Sequence, residues 1–157
     1  MTAPRLSMIA LCAAGLVAAI AMPALADEKP TKAQWTIKYR QATFTLLAWN
    51  IGPISSMVKG EIPVDKARLA LHAERLAQLS PMILEGFPAD AKTGAPTDAK
   101  PEIWDNMADF RAKATALDEA TAKLAKLAPG GDMKAIAAGL GEVGNACKAC
   151  HQKYRAD

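Results

Sequence analysis

The sequence predicts an all-α protein, an antiparallel up-down four-helix bundle. Three observations predict it. Alanine and leucine dominate a chain that is 51% hydrophobic yet only 5% aromatic, a composition that favours helix packed on helix over sheet. Apolar residues recur at helical spacing over four stretches, the first three followed by turns or a loop containing glycine and proline. Most of the turns between them are short, which sets successive helices antiparallel. A length of 157 residues suits one domain, and no internal repeat is visible. The formal net charge of +3 is small. No basic block with interleaved aromatics accompanies it, so nucleic acid is not an expected partner.

The first stretch is expected to lie outside the bundle. Arg5 supplies a positive start, residues 8–20 are apolar, and Ala24-Leu25-Ala26 has the small-x-small form of an export cleavage site. The apolar run is short for a membrane span, and Pro23 precedes the cleavage site. Residues 1–26 therefore read as a Sec-type signal peptide. The bundle then occupies 27–157, with Asp27 as the mature start, no membrane span and a periplasmic destination. Removal of this segment also removes Cys12.

A first long helix is predicted over 31–60. Ile37, Phe44, Leu47, Ile51, Ile54 and Val58 recur near heptad spacing. Gly52-Pro53 should kink or break it. Arg40 falls on the same face as Ile37 and Phe44. Either its stem packs inward while its head reaches water, or the guanidinium meets an anion there. Gly60-Glu61-Ile62-Pro63 turns the chain. The second helix is predicted over 64–84, with Leu69, Leu76, Leu79 and Ile83 inward. His72 sits at the edge of that stripe, the usual place for a surface or satisfied core histidine.

Residues 85–100 form a loop punctuated by Pro88, Gly94 and Pro96. It is long for a helix connection, so it either approaches a ligand or only links. Pro101 opens the third helix, whose core face is Ile103, Met107, Phe110, Ala114, Leu117, Leu124 and Ala128. Glu102 and Asp105 near its start and Lys123 and Lys126 near its end suit the helix dipole. Pro129-Gly130-Gly131 closes it, and Asp132 is placed to cap the fourth helix. There Ile136, Leu140, Val143, Cys147, Cys150 and Tyr154 share one face.

That last stripe contains Cys147-Lys148-Ala149-Cys150-His151, a C-x-x-C-H pattern. It is the attachment motif of haem c: two thiols add to the haem vinyl groups, and the adjoining histidine supplies the proximal iron nitrogen. Positions 147, 150 and 151 project from one helical face, so one turn can hold both tethers and the ligand. A structural zinc site would need further ligands, and only His72 and Cys12 are available. A redox C-x-x-C pair expects a βαβ setting that is not visible here. One covalently bound haem c inside the bundle is the reading the spacing favours.

Only six residues follow His151, and none is Met or His. A sixth iron ligand would have to come from Met57, Met82, Met107, Met133 or His72. None of these lies in the first turns of the first helix, beside Arg40. Phe44, one turn on, is the expected cover of the distal face. A phenyl ring cannot bind iron, so the expectation is a five-coordinate centre. Distal polarity and steric access then select the ligand: NO and CO are expected to bind, O₂ weakly or not at all.

The chain resembles the cytochrome c′ family. The resemblance rests on Lys38-Tyr39-Arg40-Gln41, on Asp98-Ala99-Lys100-Pro101-Glu102-Ile103-Trp104, and on the haem motif followed by Tyr154-Arg155. It spans essentially the whole predicted bundle. It implies high-spin haem with His151 as axial ligand, Cys147 and Cys150 as tethers, and contacts to the haem from Arg40, Gln41 and Asp98. It places Phe44 at the distal apolar position, often leucine in the family, and Phe87 and Arg155 towards the proximal side. It also implies a homodimer formed through the first two helices. Low-spin relatives take a methionine ligand from early in the first helix, and this chain has none there. The expected role is therefore electron transfer with a periplasmic redox partner, together with NO and CO binding. A peroxidase-like or NO-reducing enzyme is the competing role. It would want distal acid–base groups, and Arg40 and Gln41 are the only polar candidates near Phe44.

Overall fold

The computed structural model describes residues 29–156. The expected signal peptide 1–26 and its cleavage point before Asp27 lie outside the described residues. Four long helices form the bundle, and no described helix is long and apolar enough to cross a membrane.

α1 spans Lys32–Val58. Its start is fixed by a reciprocal cap: Gln34 N donates to Thr31 Oγ1 at 3.2 Å, and Thr31 N donates to Gln34 Oε1 at 2.7 Å. The helix runs through Pro53, so of the kink or break expected there the break does not occur. Two features allow this. Gly52 has no Cβ to clash with the proline ring, and the carbonyl that loses its donor belongs to Trp49 on the exposed side. Gly60, at φ +73°, ends the helix in the left-handed region.

α2 spans Lys66–Leu79 and is capped by Asp65, whose Oδ1 accepts from Ala67 N and Arg68 N. It is shorter than the predicted 64–84. Pro81 has no N–H to continue the α ladder, so Ser80–Gly86 tightens into a 3₁₀ helix. The long loop holds only one further 3₁₀ turn, Ala89–Ala91. The predicted third helix is divided into a short α3, Glu102–Asp105, and α4, Met107–Leu127. Asn106 divides it: its side-chain nitrogen donates to Glu102 O at 3.1 Å, and its backbone sits at φ −124°, ψ 40°. Such local side-chain bonding competes with the helix ladder. α5 spans Met133–Tyr154, capped as expected by Asp132.

The helices pack in the cyclic order α1, α2, α4, α5, with α1 and α5 in the loosest contact. Ile54, Leu69, Leu76, Phe110, Leu124, Ile136 and Val143 fill the core. On α5 the predicted stripe holds: Ile136, Val143 and Tyr154 are buried, and Leu140, Cys147 and Cys150 are half-buried. On α1 it divides. Ile37 and Ile54 are buried, whereas Phe44, Leu47 and Ile51 are half-buried because they face the opening towards α5. His72 is buried between α1 and α2, its Nδ1 2.9 Å from Asn50 Oδ1. The Asn50 amide nitrogen donates to Leu46 O, so its oxygen accepts from the His72 ring.

Candidate cofactor site

The loose contact between α1 and α5 opens a cavity of about 610 Å³ that reaches inward to α4. All nine residues singled out in the sequence line it: Arg40, Gln41, Phe44, Phe87, Asp98, Cys147, Cys150, His151 and Arg155. The cysteines and histidine reach it because α5 turns that face inward, one to two turns past the buried Val143. Burial pushes both thiols above their usual range, and at Cys150 the ammonium of Lys113 opposes this. The His151 ring is partly open to solvent. Burial of the remainder, and then Arg155, lower its pKa and favour the neutral imidazole that a metal requires.

Phe44 stands opposite, its ring centroid 6.2 Å from that of His151 and 6.4 Å from that of Phe87. Arg40 is only 3% exposed and so does not extend its head into water. Nη1 donates to Gly86 O and Ala91 O at 3.2 and 3.4 Å, and Nη2 donates to Thr97 Oγ1 at 3.2 Å. Its guanidinium lies over the rings of Phe87 and Trp104. Arg40 therefore ties down the 86–97 loop, leaving Nε buried without a partner. Gln41 is exposed and donates to Pro96 O. Asp98 and Arg155 form an exposed ion pair at 3.4 Å. Their strands of chain are joined by Lys100 N to Tyr154 O and Ala156 N to Asp98 O, at 3.0 and 2.8 Å, so the loop clamps the end of the motif helix.

Several lining residues were not singled out in the sequence. Leu47 and Ile51 belong to the α1 stripe, but nothing distinguished cavity from core. Thr97 adjoins Asp98. Lys113 and Gly144 left no signal. A Cβ built on Gly144 meets nothing within 4 Å, so the wall is recessed where it borders Cys147.

Two thiols and an imidazole on one helical face, a largely apolar cavity and an orphaned guanidinium nitrogen suit a flat, mostly apolar ring bearing acidic groups. The residues present fit haem c. None of the four methionines weighed as iron ligands lines the cavity, and neither does His72.

Fold and site together define a class: a helical bundle built to hold a tethered haem in its core. The family model for cytochrome c′ matches residues 35–155, and this chain belongs to that family. A cytochrome c′ from Alcaligenes xylosoxydans xylosoxydans is 38% identical over 124 residues, covering 79% of this chain and 95% of that protein. The structure of cytochrome c prime from Shewanella frigidimarina superposes with a TM-score of 0.77 at 36% identity, covering 82% of this chain and all of that one. A nitric oxide complex of an Alcaligenes xylosoxidans cytochrome c prime mutant gives a TM-score of 0.75 at 36% identity, covering 82% of this chain and 100% of that one. As a member of this family the chain carries covalently bound haem c.

Proposed function

We propose that this protein is a periplasmic electron carrier and gas-binding haem protein, with five-coordinate, high-spin iron held by His151 and tethered through Cys147 and Cys150. One observation carries the reading. Among the described residues lining the cavity, His151 is the only imidazole and no methionine is present, Tyr154 is turned to Asp109, and a phenyl ring stands opposite His151. Met57, the most buried of the methionines considered, instead accepts from Asp65 N through its sulfur at 3.4 Å. His72 is engaged by Asn50. This argues against the low-spin, methionine-ligated alternative.

Bound haem supplies a redox-active iron with an open coordination position. The chain's residues set what reaches it. Phe44 offers hydrocarbon and no donor, which favours NO and CO over O₂. Arg40, through its free Nε, and Gln41 are placed for the haem's carboxylates, with Asp98 and Arg155 at the rim. The terminal nitrogens of Arg40 and the Gln41 amide are directed to loop oxygens, which leaves only Arg40 Nε, buried and facing the ring's acidic groups in this reading. The engaged donors are held away from a reacting peroxide, which supports a carrier over an enzyme.

The outer face of α1 carries Trp35, Leu46 and Trp49, with Leu71 exposed on α2. At 3.6 residues per turn the three α1 residues fall within about 60° of one another. Trp49 is 72% exposed, and a second copy of the chain is the proposed cover. Absorption and resonance-Raman spectra of ferric and ferrous protein test the central reading. They should report high-spin haem that changes on adding CO or NO; six-coordinate low-spin iron indifferent to both would overturn it.

A further inference from the structure

The inner wall of the cavity conceals a polar group that neither tethering nor gas binding uses. Ser80 and Thr121, 1% and 0% exposed, place their hydroxyls 2.9 Å apart. Thr121 Oγ1 also donates to Leu117 O and Asp118 O, both at 3.0 Å. One turn back on α4 lies Asp118. Its Oδ1 is sealed from solvent and has no hydrogen-bond partner. Thr121 itself lines the cavity, three residues along α4 from Asp118.

A carboxylate oxygen sealed off without a donor is costly when ionised. Burial pushes the Asp118 carboxyl above the usual range; the Ser80 hydroxyl opposes this, and Glu119 adds to it. No cation offsets the charge, since among the described residues Asp118 joins no ion pair. On its own helix the nearest charge is Glu119. The 3₁₀ segment after α2 offers Ser80, while its acid, Glu85, is bonded to Tyr39. On the α5 side Glu142 is paired with Lys123. Asp118 is half-buried with Oδ1 on the protein side, so negative charge added beyond Thr121 reaches it partly through protein rather than only through water.

We propose that Asp118, with Ser80 and Thr121, is a redox-linked proton-binding site that takes up a proton from water when the haem in the cavity gains one electron, and returns it on oxidation. The inference rests on the electron-carrier reading. The electron comes from the one-electron donor that reading requires. The proton is bound at Asp118, and no other bond is made or broken.

The test uses the holoprotein. The reduction potential of the wild type should fall as pH rises through the titration of Asp118. Asp118→Asn should lose that segment of the profile, while the haem carboxylates contribute equally to both proteins. Ser80→Ala, which removes the hydroxyl that favours the ionised form, should move the segment to higher pH. Reduction-minus-oxidation infrared spectra with carbon-13-labelled aspartate should show a protonated carboxyl gained on reduction in the wild type and lost in Asp118→Asn. An unchanged pH profile in Asp118→Asn, or no labelled carboxyl signal, overturns the proposal. If that variant fails to mature, the wild-type infrared result decides alone. Haem that cannot be cycled at all overturns the carrier reading as well; haem that cycles with the same profile in both proteins overturns only this inference.

Discussion

The rings of Phe44 and His151 meet edge to face across the cavity, their planes inclined by 65°. Phe87 packs against Phe44 from the side at 74°, so the ring has a fixed seat. The residue proposed to control ligand access and the residue proposed to hold the iron thus come from the first and last helices. They meet only because α1 and α5 stand apart along this edge of the bundle.

Trimming Phe44 should open the distal side. In Phe44→Ala, CO and NO association should accelerate by about tenfold or more, corresponding to a displacement cost on the order of 1.4 kcal/mol. The ferrous spectrum without ligand should stay high-spin, because no donor is introduced. Flash photolysis of the CO complex measures this. An unchanged rate would mean that Phe44 does not cover the iron.

A second consequence concerns the close approach of Gly86 to Arg40. A Cβ on residue 86 would lie 2.8 Å from Arg40 Cβ and 3.2 Å from Arg40 Cα. Neither neighbour is the free end of a flexible side chain, so the backbones must separate. Gly86→Ala should destabilise the protein by roughly 1–3 kcal/mol, and Arg40 should lose its hold on the Gly86 and Ala91 carbonyls. Urea unfolding gives the first quantity, and hydrogen exchange over residues 86–97 gives the second.

Much of the site was legible in the sequence because its chemistry is local. Cys147, Cys150 and His151 occupy one turn, and a 3.6-residue period alone places them on the inward face. The four long helices followed from periodicity, and the start of the last from Asp132 as its cap; the Thr31 and Asp65 caps were not singled out. The departures were local contests. Gly52 let Pro53 remain inside α1, Pro81 tightened the end of α2, and the Asn106 side chain divided the third helix. Arg40 was harder. Its donors go to two carbonyls and a hydroxyl of a loop some fifty residues away, and no spacing rule reports that. The Ser80–Thr121 contact joins residues 41 apart and was equally invisible.

The His72–Asn50 contact predicts a pH dependence of stability. Burial, then Arg75 and Arg68, lower the His72 pKa below its usual value near 6.5. The folded state therefore holds the neutral ring. As pH falls below about 6.5 the unfolded chain takes up this proton first, and stability declines until the lower folded pKa is passed. Above that window the full contribution is present. His72→Gln should flatten this part of the profile, as read from thermal unfolding between pH 7 and acid.

The exposed face of α1 supplies the last prediction. Trp49 and Leu46 expose large apolar surfaces side by side, with Trp35 about three to four turns away on the same face. Isolated apolar residues on a surface are ordinary, whereas a contiguous group on one helix face marks an interaction site. If a second copy covers it through a two-fold axis, each α1 contributes the group once and meets it once. A single charge there is then introduced twice, into the middle of the contact. Trp49→Glu should convert the dimer to monomer in sedimentation velocity runs at micromolar concentration. Because Trp49 points away from the cavity-lining residues, the haem spectrum and CO binding of the monomer should match those of the wild type. A wild-type protein that sediments as a monomer at all concentrations would remove the dimer from the proposal and leave the haem site untouched.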